Sequence, residues 1–142
     1  MKNNRFENQS KRLTVNKLLV LESAAEENDL FEVQQYILKA ILVDMPNNKN
    51  ALLKLSNISY ANNDYIDTLH YSGKYIEAGG VDFRVFFQYA EALRFNNQFT
   101  VSEKYYDLSL NEISLNHRHH RKILMGSPKF IILRLYIKKF GQ

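Results

Sequence analysis

Three stretches of this chain share one shape, and their spacing limits the fold more than any other feature. They are "ENDLFEVQQYILKAILVDMPNN" from Glu27, "NNDYIDTLHYSGKYIEAGG" from Asn62, and "NNQFTVSEKYYDLSLNE" from Asn96. Each opens on a short polar turn, meets a large apolar residue and runs on as an amphipathic helix. With Leu30, Tyr65 and Phe99 as anchors, the spacings are 35 and 34 residues. A fixed period in this range predicts a stack of similar helical units, each too small to bury its apolar face alone.

Each copy reads as two helices. In the second copy, Leu52, Leu55, Ile58 and Ser59 form one helical face, "NND" turns, and Tyr65, Leu69, Ser72, Tyr75 and Ile76 line the return helix. Gly79 and Gly80 end it, because glycine tolerates the left-handed conformation at a helix C-terminus. The third copy repeats this with Phe86, Tyr89, Ala90 and Leu93, then Phe99, Ser102, Tyr106 and Leu110. The first has Val20, Leu21 and Ala24, then Leu30, Val33, Ile37 and Ala40, and stops before Pro46. A further helix is predicted from Pro128, with Phe130, Leu133 and Ile137 on its apolar face.

The pattern resembles the tetratricopeptide repeat, in which a bulky residue, a small residue and a second small residue recur every 34 positions or so. Ser56 and Ala90 occupy the small position, and Leu52 and Phe86 the bulky one. At the matching places the first copy has Lys17 and Leu21, and the fourth has Arg134 at the small place. The resemblance implies an all-α fold, a tetratricopeptide-type superhelix of stacked antiparallel helix pairs. The expected organisation is a basic N-terminal arm over 1–13 and a helical-repeat domain over 14–140. Its parts are repeats near 14–47, 48–81 and 82–116, a basic loop over 117–127 and a terminal helix over 128–140.

Tetratricopeptide arrays bind peptide or protein segments in a concave groove lined by the first helix of each pair, here called the A helix. Carried over, one groove row is Leu18, Leu53, Phe87 and Ile131. A second is Glu22, Asn57, Glu91 and Leu135, and a third is Ala25, Tyr60, Arg94 and Lys138. Asn50, Lys54 and Arg84 stand at the edge. Some adaptor members of the family clamp a terminal carboxylate with Lys and Asn on this surface. Leu53 and Phe87 do not suit that chemistry, and Asn57 alone does. The apolar row implies an amphipathic helix or an extended apolar segment as ligand. The same residues also suit packing against the N-terminal arm or a neighbouring second helix. In size and copy number the array resembles the three-repeat chaperones of bacterial secretion systems, and such repeats also occur as segments of longer proteins.

Chemistry finds little support. The chain has no cysteine, which excludes a disulfide framework and suits a reducing compartment. His117, His119 and His120 sit in the basic stretch "NHRHHRK", where neighbouring arginines oppose a cation, so no metal is expected. Glu22, Glu26 and Glu27 cluster near a helix end without an apolar pocket to raise a pKa. No nucleophile motif and no phosphate-binding glycine loop is present. The reading is a non-enzymatic module without cofactor, cytoplasmic, with no leader segment and no run of spanning length.

Charge is unevenly spread. Residues 1–12 carry +3, residues 13–110 carry −5 and residues 111–142 carry +6. The basic ends suit an anionic surface or nucleic acid, but a repeat body of negative sign argues against nucleic acid as the main partner. The 128–140 segment places Ile131, Ile132 and Leu135 on a second apolar arc, fringed by Lys138. That arc predicts self-association into a homodimer, with a truncated longer array as the rival reading.

Overall fold

The computed structural model describes residues 2–116 of the 142-residue chain, with side chains over residues 14–112. The basic loop and the terminal helix expected beyond them, including Ile131, Ile132, Leu135 and Lys138, lie outside the described residues. The described chain is all helix: α1 (Lys2–Glu27), α2 (Phe31–Asp44), α3 (Lys49–Ala61), α4 (Tyr65–Glu77), α5 (Phe83–Phe95) and α6 (Phe99–Asn116). The helices pair as antiparallel hairpins, α1 with α2, α3 with α4 and α5 with α6. Each A helix also packs against the pair before it, and α3 touches α5. This is the tetratricopeptide-type stack of antiparallel helix pairs.

The hairpin turns explain the period. Asp29, Asn63 and Asn97 all sit at positive φ, at 55°, 58° and 60°. Asp and Asn tolerate this conformation better than other residues with a Cβ. After each of them an N–H reaches back five residues, Leu30 to Ala25, Asp64 to Ser59 and Gln98 to Leu93, each at 2.9 Å. These bonds cap the carbonyls that the A helix leaves open. The next helix is then started by its own polar cap where one exists: the side chains of Asn48, Asp64 and Asp82 accept from backbone N–H groups in the first turns of α3, α4 and α5.

Two expectations need correction. First, the period is 34 at both steps, since α2, α4 and α6 start at Phe31, Tyr65 and Phe99. Leu30 is the residue before the helix, not its apolar anchor; two adjacent large apolar residues, Leu30 and Phe31, hid the shift. The first copy therefore moves by one residue. The equivalent core seats are Leu18, Leu52 and Phe86; Glu22, Ser56 and Ala90; and Ala25, Ser59 and Leu93. In the second helices they are Gln34, Thr68 and Ser102; Leu38, Ser72 and Tyr106; and Ile41, Tyr75 and Ser109. All of these are buried except Leu18, which packs half-buried on the core. Second, residues 2–13 are not a separate arm but the first half of α1. No Pro or Gly interrupts residues 1–27, so nothing in the backbone stops the helix.

The core is continuous from hairpin to hairpin. Ala25, Ile37, Leu38 and Ile41 of the first pair cluster with Ala51 and Leu55 of α3. Leu52, Tyr75 and Val85 join the second pair to α5. Gly80 ends the second pair where Pro46 ends the first, 34 residues earlier. A Cβ on Gly80 would stand 2.4 Å from Cε1 of Tyr75. Gly80→Ala should therefore cost about 1–3 kcal/mol, the usual range for forced overpacking, measurable by urea unfolding followed by circular dichroism.

Candidate functional site

The exposed face of the A helices is built from rows that repeat every 34 residues. With the corrected register the rows are Leu19, Leu53 and Phe87; Ser23, Asn57 and Glu91; and Glu26, Tyr60 and Arg94. Leu18 therefore leaves the row proposed from the sequence, and its neighbour Leu19, at the margin of exposure, takes the place. Glu22 and Ala25 leave their rows as well and are buried among the first pair and α3. A strict 34-residue step applied to the first copy would have found Leu19.

Adjacent A helices are joined across this face by polar contacts that also follow the period. At the first junction Lys54 Nζ donates to Glu22 Oε1 at 2.8 Å and to Glu26 Oε2 at 2.7 Å. Gln34 Nε2 donates to the same Glu22 oxygen at 2.9 Å. At the second junction Ser56 Oγ donates to Gln88 Oε1 at 2.6 Å, and Gln88 Nε2 donates to Asn57 Oδ1 at 2.7 Å. Ser56 and Gln88 are the 34-residue equivalents of Glu22 and Lys54. One seat thus holds an ion pair at the first junction and a neutral pair at the second. Burial pulls the Lys54 ammonium toward a lower pKa, but the hydrogen bonds and charges of Glu22 and Glu26 outweigh it, and the net shift is upward.

Glu91 of the groove row is fully buried. Its carboxylate accepts from Tyr60 Oη at 2.8 Å and from Tyr106 Oη at 3.4 Å. Burial first, and the Glu91 charge second, push both phenols well above the ordinary tyrosine range; Arg94 opposes the shift at Tyr106. Around this triad the rings form a chain. Tyr60 meets Tyr65 and Phe87 edge-on at 6.4 and 6.3 Å, Phe87 meets Tyr106 at 5.5 Å, and Tyr65 stacks on Phe95 at 3.8 Å. The Arg94 guanidinium lies over the Phe95 ring, 4.8 Å from its centre. Phe87 is half-buried against Ala90, Tyr106 and Leu110, and Leu53 against the second core cluster, so both belong partly to packing. Asn50 and Arg84 are exposed in the first turns of α3 and α5, with Arg84 near Asp82.

A cavity of about 370 Å³ opens between the first hairpin turn and α3, lined by Glu26, Phe31, Gln34, Lys54, Asn57, Ile58, Ala61 and Asn62. A second, of about 470 Å³, adjoins it through Phe31, Ile58 and Asn62. Phe31 was not singled out from the sequence because it stood beside the misassigned Leu30. Among the described residues no cluster of three His, Asp or Glu side chains has the grouping of a metal site. The cluster His117, His119 and His120 lies outside them.

Two outcomes test this geometry. Lys54→Gln leaves the Glu22 carboxylate buried without its ammonium and should cost about 2–3 kcal/mol, somewhat under the range for fully buried pairs because Lys54 keeps some solvent contact. The double variant Glu22→Ser/Lys54→Gln copies the second junction into the first and should be the more stable of the two in denaturant titration. In alkali, the unfolded chain loses its tyrosine protons from about pH 10 while native Tyr60 and Tyr106 keep theirs. Stability contributed by the two phenols is complete below that pH and is lost above it. Tyr60→Phe/Tyr106→Phe should flatten the fall of the unfolding midpoint between about pH 9.5 and 11 relative to wild type.

Neither a protein-family model nor a curated protein matches the sequence. Among solved structures, the type III secretion translocator chaperone SycD of Yersinia enterocolitica is similar, with a TM-score of 0.59 and 18% identity. The match covers 94% of this chain and 92% of that one. At this identity the likeness is one of fold.

Proposed function

We propose that this chain is a tetratricopeptide-type binding module that holds a segment of another protein on its A-helix face. The observation that carries the reading is the cavity beside α3. Its apolar residues Phe31, Ile58 and Ala61 form a floor, and Lys54, Glu26 and Asn57 form a polar rim. An apolar side chain of the ligand fills the floor, and the rim hydrogen-bonds the ligand backbone on either side. The face is held in shape by the junction contacts, so binding orders little of the protein itself.

The fold shared with a secretion translocator chaperone supports one form of this function: keeping a partner's apolar segment covered until the partner is handed on. The module acts by binding alone, without metal or cofactor, in the cytoplasm. No helix among the described residues is long and apolar enough to cross a membrane. Nucleic-acid binding through Arg118, Arg121 and Lys122 has less support, because the described body is the acidic part of the chain.

A displayed library of peptides about 12–20 residues long, panned against the purified chain, tests the reading. The enriched peptides should carry one or two large apolar residues. Ala61→Arg and Phe31→Asp alter exposed cavity residues and spare the core. Each should weaken the selected peptides about tenfold or more with the helical spectrum unchanged. Binding that ignores both substitutions refutes the site, and a library that yields no binder refutes the reading.

A further inference from the structure

Every A helix after the first is seated on the pair before it by one stripe of residues. On α3 the stripe is Ala51, Lys54, Leu55 and Ile58, and Ala51 and Leu55 sit within the core cluster of the first pair, with Ile58 packed against it. On α5 it is Val85, Gln88, Tyr89 and Ala92, of which three are buried and Tyr89 half-buried. Thirty-four residues before the α3 stripe, α1 carries Lys17, Val20, Leu21 and Ala24. All four are exposed. Leu21 is 55% exposed and Val20 70%, where the equivalent Leu55 and the neighbouring-seat Val85 are at 0%. The spacing i, i+3, i+4, i+7 places the four side chains on one face of the helix. So α1 presents the seat for a packed neighbour, apolar at its centre, and the first hairpin leaves it uncovered.

We infer that a second copy of this chain covers it, α1 lying antiparallel on α1 about a twofold axis between Val20 and Leu21. The charge along α1 selects both the occupant and the direction. Lys2, Arg5, Lys11, Arg12 and Lys17 stand in its first two thirds against one acid, Glu7. Glu22, Glu26 and Glu27 stand in its last third, and Asp29 follows. Antiparallel pairing lays the basic part of each copy beside the acidic end of the other, whereas parallel pairing would oppose like with like. The helix dipoles favour the same direction. About this axis Val20 faces Leu21, and Lys17 of one copy comes within a helical turn of Glu27 of the other. The helix is also long enough. Its 26 residues span about 39 Å, against about 20 Å for the 13 residues of α3. The contact is self-complementary and closes at two copies. It uses the opposite side of α1 from the core residues Glu22 and Ala25, and so leaves the cavity beside α3 open to a ligand.

Sedimentation of the full chain at tens of micromolar should show a dimer. Leu21→Glu replaces an exposed side chain, so the fold is kept, and it should raise the dimer dissociation constant about tenfold or more by burying a charge at the axis. Lys17→Glu and Glu27→Lys should each weaken the dimer, and the double variant should regain it. Because the chain has no cysteine, Leu21→Cys places one thiol next to the axis. Mild oxidation should link two chains through it, and not through Lys39→Cys on the exposed side of α2. A wild-type monomer across this range overturns the inference. So does a dimer that survives Leu21→Glu, or one that Ile131→Glu disperses while Leu21→Glu does not.

Discussion

Each hairpin of this array is closed by one residue held in the left-handed conformation, and the rest of the structure depends on it. Asp29, Asn63 and Asn97 end an A helix, let its last carbonyls be capped from five residues on, and set the start of the return helix two residues later. Because the turn is the same three times, the hairpins have the same geometry and stack with the same offset. A residue with a branched side chain would resist this conformation. The short polar turns are therefore a structural requirement and not merely solvent-facing linkers.

On that frame, small and polar residues do much of the work between helices. Thr68, Ser72, Ser102 and Ser109 are fully buried, and Ser102 and Ser109 return hydrogen bonds to the carbonyls of Ala90 and Phe83. Such residues let two backbones approach closely while leaving no polar atom without a partner at those points. At the A-helix seat where Ser56 and Ala90 are small, the first pair instead buries Glu22. The larger side chain is accommodated because Gln34 and Lys54 both reach its carboxylate. The helix pair, the junction and the charge on the binding face are linked at this one residue.

Much of the architecture was legible in the sequence because its signals are local and repeated. The polar turns, the helix faces and the breaks at Pro46 and Gly79-Gly80 all follow from short-range backbone preferences. What was not legible depended on contacts between distant residues. A buried Glu91 reads as a surface acid until Tyr60 and Tyr106, 31 residues before it and 15 after it, are seen to converge on it. Leu18 and Leu19 are indistinguishable by composition, and a one-residue slip in the first copy moved the core residue into the binding face. The same slip made Lys17, Val20, Leu21 and Ala24 look like the interior of the first pair, whereas they are its outer face.

The exchange of an ion pair for a neutral pair at equivalent seats has a consequence for how the array comes apart. A linear stack loses its units in sequence, and the order is set by the weakest junction. Lys54 with Glu22 and Glu26 joins the first pair to the second partly through charges that reach solvent, and dissolved ions weaken such attractions. Ser56, Gln88 and Asn57 join the second to the third without formal charge, and the aromatic chain through Tyr60, Phe87 and Tyr106 reinforces that junction. The molecule is thus a firm two-unit block with a first unit hinged to it by ionic contacts, and ionic strength acts as a dial on how often that unit swings free.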